Sequence, residues 1–320
     1  MTRKIILDVD TGIDDALAIA YALGSKELEL IGVTGTYGNV LVPTGTRNAL
    51  AILELFGRTD VPVFAGPDHA RAKESFEVLE ISQFIHGKNG IGEAQIPDAK
   101  RQVEAKSAVD FMVESVREYG DDLVIVPVGP LTTVAAAMEA DEEFAANAHI
   151  VNMGGALTVP GNVTPWAEAN INQDPEAADL VFRNARDITM IGLDVTLQTL
   201  LTKEETAEWE ALGTVGGDFL AAATNYYIGA YDEIAPYLGG CGLHDPLAVG
   251  VAVDPSLVTT LDINLKTDTE GETRGRTIGD ETRLNDPVKT GHVAVGVDVE
   301  RFLAELMRRL TDLAAGTAAR

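Results

Sequence analysis

The chain has 320 residues, a net charge of −26 and one cysteine, Cys241. That charge excludes the basic face that nucleic-acid binding needs, and a lone cysteine excludes an intramolecular disulfide framework. No apolar run is long enough to cross a bilayer and no basic-then-apolar leader opens the chain, so a cytoplasmic protein without membrane association is expected.

Residues 5–7, Ile-Ile-Leu, read as a buried strand. Asp8 and Asp10 follow two apart, which in an extended strand puts both carboxylates on one face. Gly12 permits a sharp turn, and Ala16, Leu17, Ile19, Ala20 and Leu23 then recur at helical spacing. Asp14 and Asp15 fall in the first turn of that helix, where free N–H groups favour negative charge. A capped helix start accounts for one or two of these acids. Four within eight residues repel one another unless a cation sits among them, and a hard divalent ion with oxygen ligands meets that need.

Further along, 28–34 is a strand ending in Gly35-Thr36-Tyr37-Gly38-Asn39, 42–56 a helix and 61–64 a short strand. Residues 66–97 have weak periodicity and carry His69 and His86; a loop of this length is usually functional. A helix is expected at 108–119 and a buried strand at 123–128, after which Gly129-Pro130 opens another helix. Residues 150–155 are a strand running into Gly154-Gly155, and 161–170 are polar and irregular. Then come a helix at 175–184, a strand at 188–193 and one helical stretch over 203–237. His244-Asp245-Pro246 starts an apolar helix. Strands at 257–265 and 273–277 flank Gly271 as a hairpin, and a strand at 293–297 precedes a closing helix with Phe302, Leu306 and Leu310. This alternation predicts an α/β fold, a single open, mostly parallel sheet flanked by helices, as one domain over 1–320.

In such sheets ligands bind beyond the carboxyl ends of the strands. Standing there are Asp10, Asp14 and Asp15, then Asn39, the Val128 carbonyl, Asn152, Met153, the loop with Asn162, Glu168 and Asn170, and finally His244 and Asp245. Asp245 can complete an oxygen cage with Asp10, Asp15 and a backbone carbonyl, a donor set that suits Ca²⁺.

These blocks resemble the inosine/uridine-type nucleoside hydrolases. Asp8-Val9-Asp10-Thr11-Gly12-Ile13-Asp14-Asp15 matches that family's signature, and Met153-Gly154-Gly155, Asn162, Glu168-x-Asn170 and His244-Asp245 match its later blocks in order. The resemblance implies a Rossmann-like nucleoside hydrolase fold, a ribonucleoside substrate and hydrolysis of its N-glycosidic bond to ribose and free base. It further implies Ca²⁺ held by Asp10, Asp15, the Val128 carbonyl and Asp245, with Asp10 as base for the attacking water and His244 as acid for the leaving base. Asp14, Asn39, Asn162, Glu168 and Asn170 would bind the ribose hydroxyls, with Met153 beside them and His86 facing the base. A homodimer or homotetramer is implied as well. One departure stands out: Ala169 replaces the aromatic residue usual between the glutamate and the asparagine, leaving Trp166, Tyr227 or Tyr231 to stack on the base. Asp8, one step deeper, is expected to support the others.

Two other readings fit parts of the pattern. Asp8-x-Asp10 after an apolar strand looks like the nucleophile motif of haloacid-dehalogenase-type phosphatases, but Gly279-Asp280 is followed by Leu284 where that family needs a second acid. The same cage could also bind Ca²⁺ and a ribonucleoside without turning it over. Cys241 shows no sign of activation as a nucleophile, and His69, His149 and His292 read as surface or packing residues.

Overall fold

The structure, a computed structural model, describes residues 2–319. Its strands are β1 (Arg3–Val9), β2 (Leu28–Gly35), β3 (Val63–Ala65), β4 (Leu123–Pro127), β5 (His149–Met153), β6 (Asp187–Ile191), β7 (Leu200–Leu201), β8 (Cys241–Gly242), β9 (Val258–Asp262), β10 (Leu265–Thr267), β11 (Thr277–Gly279) and β12 (Gly291–Val297). The helices are α1 (Ile13–Gly24), α2 (Val42–Leu55), α3 (Glu80–His86), α4 (Ala108–Tyr119), α5 (Thr132–Ala140), α6 (Glu142–Asn147), α7 (Ala169–Gln173), α8 (Pro175–Asn184), α9 (Leu193–Thr196), α10 (Lys203–Ala211), α11 (Val215–Ile234), α12 (His244–Val253) and α13 (Val299–Ala315).

Eight strands form the central sheet in the order β3-β2-β1-β4-β5-β6-β12-β9. All neighbours are parallel except β9 and β12. β1 is an interior strand, between β2 and β4, and is apolar on both faces: Ile5, Leu7 and Val9 pack with α1, α2, α11, α12 and α13, whereas Ile6 packs with α4, α5 and α8. From β1 the chain first winds outward through β2 and β3, then crosses to β4 and winds the other way. The crossovers on the two sides therefore diverge between β1 and β4, and a crevice opens beyond their carboxyl ends.

The expected α/β fold with a mostly parallel, helix-flanked sheet is the one observed. Three local expectations change. The single helical stretch over 203–237 is two helices, because Gly213 turns the chain at φ +66 and the Thr214 hydroxyl caps α11 by accepting the Gly217 N–H. The strand expected at 257–265 breaks at Asn264, whose side chain bonds the backbone of Arg283, Val288 and Thr290. Its first half, β9, joins the main sheet; the second, β10, forms the anticipated hairpin with β11. Within 66–97, α3 is the only helix among the described residues, and its last residue is His86.

At the amino-terminal edge of the sheet, His149 Nδ1 lies 2.6 Å from Asp187 Oδ2 and its Nε2 3.1 Å from Asp121 Oδ1. Burial lowers the pKa of this imidazole, but the bonds to Asp187 and Asp121 outweigh it and hold the pKa above the usual 6.5. A raised folded-state pKa contributes stability that is complete below the unfolded value and vanishes as pH rises through the folded value. His149→Gln is therefore expected to lower Tm at about pH 5.5 and to approach the wild type by about pH 9. Thermal melts across that range check this; a constant Tm difference would contradict it.

Candidate active site

The carboxyl end of β1 delivers Asp8 and Asp10 onto one face, and Gly12 starts α1 so that Asp14 and Asp15 lie in its first turn. All four are buried. The Asp15 carboxylate fastens the turn: Oδ1 accepts the Asp10 N–H at 3.0 Å, and Oδ2 accepts the Gly12 N–H at 2.7 Å and the Asn39 amide at 3.2 Å. Asp10 Oδ2 accepts the Asn39 N–H at 2.6 Å, while Oδ1 is buried and meets no protein donor. The backbone closes tightly round this carboxylate. A Cβ at Gly38, where φ is +153, would lie 2.1 Å from Asp10 Oδ2, and one at Gly129 3.1 Å from Oδ1.

From the first turn of α12, Asp245 reaches the same point. Carboxylate oxygens of Asp14, Asp15 and Asp245 lie within 4.8 Å of one another, a group that could hold a metal ion. Burial, then mutual repulsion, raises the pKa of Asp10, Asp14 and Asp245, with Asp14 reaching about 8. Asp15 is raised by burial and partly relieved by the N–H groups of Gly12 and Asp10. Such a group stays ionised at neutral pH only with a cation in its midst. The orphaned Oδ1 atoms of Asp10 and Asp14, with hard oxygen donors throughout, fit Ca²⁺. Of the four expected ligands, Asp15 and Asp245 stand in the group with Asp14 as the third member, and Asp10 adjoins them. The Val128 carbonyl receives the Asn170 amide at 2.7 Å, which leaves one lone pair for a metal.

The other half of the crevice follows β5. Gly154 and Gly155 turn the chain at φ +152 and +89. Glu168 caps α7, accepting the N–H groups of Asn170 (2.9 Å), Ile171 (3.1 Å) and Gly155 (2.9 Å). Asn170 reaches back to the carbonyls of Val128 and Met153, and Met153 is buried beside it. Asn162 is exposed and holds the loop by accepting the Ala169 N–H. Trp166 is exposed with the Arg276 guanidinium over its ring, 5.3 Å from the centroid.

The histidines and tyrosines line the side formed by α3, α11 and α12. His86 Nδ1 accepts the Ile13 N–H at 3.1 Å, which leaves its ring proton on Nε2; burial pushes its pKa down to about 3. His244 is engaged at both nitrogens, with Tyr231 Oη 2.7 Å from Nε2 and Thr196 Oγ1 2.8 Å from Nδ1, and burial lowers its pKa to about 4. Tyr227 and Tyr231 are one helical turn apart on α11 and meet edge to face at 5.0 Å; the Tyr227 hydroxyl points at Asp14 Oδ2, 3.4 Å away. Sequence reasoning singled out both tyrosines for stacking and missed their attachment to His244 and Asp14. Their i, i+4 spacing was the available signal. Thr196 gave none.

The remaining candidates lie elsewhere. His69 pairs with Asp68, His149 with Asp121 and Asp187, and His292 with Asp262. Burial pushes the Cys241 thiol far up, so it is no nucleophile. Asp280 is bound by Arg183 at 2.7 Å and Arg283 at 2.8 Å in the β10–β11 region, which removes the acid that a phosphatase reading would recruit. Asp8 does stand one level below the site, with Thr34 donating to it at 2.7 Å.

The family model described as "Inosine-uridine preferring nucleoside hydrolase" matches residues 5–304. "Probable uridine nucleosidase 2" of Arabidopsis thaliana is 38% identical, covering 97% of this chain and 98% of its own. "Pyrimidine-specific ribonucleoside hydrolase RihA" of Shigella boydii is 35% identical, covering 97% and 99%. Among solved structures, the purine-preferring ribonucleoside hydrolase from Gardnerella vaginalis is 63% identical with a TM-score of 0.97, covering 98% of this chain and 99% of that one. The chain belongs to the inosine-uridine preferring nucleoside hydrolase family, enzymes that hydrolyse the N-glycosyl bonds of ribonucleosides.

Proposed function

We propose that the protein is a Ca²⁺-dependent ribonucleoside N-ribohydrolase that adds water across the N-glycosidic bond, giving ribose and free base. One observation carries this reading: a buried, cation-seeking carboxylate group faces an imidazole–phenol set across a single crevice. A Ca²⁺ ion held by Asp10, Asp15, Asp245 and the Val128 carbonyl, with Asp14 at its edge, would acidify a water and orient ribose hydroxyls.

Asp10 is the base: its Oδ1 is buried at the end of β1 without a protein donor and can take the proton of the attacking water. The water oxygen bonds to the anomeric carbon as the bond to the base nitrogen breaks. Positive charge develops on the sugar during that exchange, and the surrounding carboxylates stabilise it. Asn39, Asn170 and Glu168 offer amide donors and spare carboxylate lone pairs to ribose hydroxyls; Asp14, Asn162 and Met153 complete that wall.

The departing base needs a proton or a strong hydrogen bond. His86 can donate from Nε2, since its Nδ1 is fixed on the Ile13 N–H. His244 acts through Tyr231: with its proton on Nε2 the neutral imidazole donates to the phenol oxygen and leaves the phenol O–H free to hydrogen-bond the departing base. This refines the expectation that His244 touches the base directly. General acid assistance of this kind is worth roughly 10²–10⁴-fold. The substrate is a free nucleoside, in keeping with a net charge of −26.

Three outcomes are expected. Chelation with EDTA abolishes release of base from inosine, uridine, cytidine or adenosine and lowers Tm, and Ca²⁺ restores both. Nucleoside binding without release of base would overturn the reading. Asp245→Asn removes one repelling charge, so its Tm in EDTA is expected to exceed that of the wild type while the rise on adding Ca²⁺ shrinks; differential scanning fluorimetry reads both. Finally, His244→Ala and Tyr231→Phe are expected to lower kcat on nucleosides about 10²-fold or more, yet to spare a nitrophenyl riboside, whose leaving group needs no proton. Equal losses on both substrates would remove the acid role.

A further inference from the structure

Beneath the site lies a second polar layer that the reaction scheme does not use. Asp8 follows Ile6 on the face of β1 that packs with α4, α5 and α8, and Asn152 follows Ile150 on the same face of β5. The strand register puts both on one level. Asp8 pairs with Pro127 of β4, and since Ile125 pairs with Ile150, Pro127 falls beside Asn152. Thr133, in the first turn of α5, stands over Asp8. All of these polar groups are fully buried. Thr34 satisfies Asp8 Oδ1, but Asp8 Oδ2, Thr133 Oγ1 and both Oδ1 and Nδ2 of Asn152 meet no protein partner.

A buried amide with neither end bonded costs several kcal/mol, and a carboxylate oxygen more. Thr133 stands near enough to Asp8 to favour its charged form, but no protein group bonds either end of the Asn152 amide. Asp8 and Asn152 sit two strands apart, about 10 Å between Cα atoms, too far for their side chains to meet. Pro127 lies between them in the register, so a link over it takes one or two waters, each needing two to four polar partners, and these atoms offer both donors and acceptors.

We propose that Asp8, Thr133 and Asn152 form an internal water-binding site, and that Asn152 is thereby a positioning residue for the catalytic crevice. The consequence follows from what each anchor supports. Asp8 fixes the end of β1 that carries Asp10. Asn152 precedes Met153 and Gly154-Gly155, whose carbonyl and N–H groups hold Asn170 and Glu168. A Cβ at Gly154 would lie 3.4 Å from Asn152 Nδ2 and 3.2 Å from Glu168 Oε2, so the amide and the glutamate both flank this glycine. The waters join the carboxylate half of the crevice to the ribose half across β4. The positioning part rests on the proposed reaction; the water site does not.

A crystal structure of the full chain is expected to show one or two ordered waters about 3 Å from Asp8 Oδ2 and from the Asn152 amide. Asn152→Leu, of similar volume, is expected to lose them, to melt lower because Asp8 Oδ2 is stranded, and to raise KM about tenfold with little change in kcat. Asn152→Ser, which keeps a hydroxyl and room for a further water, is expected to recover most of the KM. A dry layer, an Asn152 amide bonded directly to protein, or an Asn152→Leu variant that melts higher with unchanged KM would overturn the proposal. A wild-type chain that releases no base from any nucleoside would overturn the reaction reading alone, because density and melts decide the water site separately.

Discussion

Four carboxylates packed out of water around one point set the terms for the rest of this molecule. Asp10, Asp14, Asp15 and Asp245 are each buried, and burial and mutual repulsion push their pKa values up. An arrangement that costs so much is held only if the backbone around it is over-determined. Asp15 is tied to two N–H groups of its own turn, Asn39 clamps both Asp10 and Asp15, and the free N–H of Ile13 at the helix start finds its acceptor in His86. The sheet supplies the rigidity, since β1 is covered on both faces and is paired on both edges, by β2 and β4. A site built this way is preorganised for positive charge, and in the proposed reaction that charge is first an ion's and then the sugar's in the transition state.

The topology explains why two chemistries meet there. Strands on one side of β1 bring Asn39 to the carboxylates, and strands on the other bring the Val128 carbonyl and the loop from β5 with Glu168 and Asn170. Helices α11 and α12 close the third side with Tyr227, Tyr231 and His244. In the proposed reaction, acid and base functions thus come from different layers of the fold. Their environments push them apart: carboxyls are raised toward neutrality while the imidazoles are kept uncharged, His86 to about 3 and His244 to about 4. Divergence of that kind between neighbouring groups is the physical mark of a catalytic site.

Much of this was legible in the chain itself. Periodicity located the central strands, and the acid spacing at Asp8 to Asp15 marked out a candidate cation site, because like charges held so close repel until a positive charge sits between them. The later blocks supplied the opposing wall. Local pattern was weakest where single residues act through tertiary partners. Gly213 and Asn264 divided elements that hydropathy alone ran together, because a positive φ and a side chain bonded to distant backbone leave no periodic trace. Likewise Thr196 and Asn152 are ordinary residues in sequence and gain their meaning from what lies across the fold.

The sequence by itself determined the fold class, the carboxylate cluster and the family, since hydrophobic period, charge crowding and ordered motifs are properties of neighbours along the chain. Only the tertiary structure decided that Asp14 stands beside Asp15 and Asp245, that Asn170 bonds the Val128 carbonyl, and that Tyr231 stands on the Nε2 of His244. Those assignments depend on which side chains occupy one small volume. Parallel crossovers bring together residues as far apart as Asp14 and Asp245, and no local pattern encodes that distance.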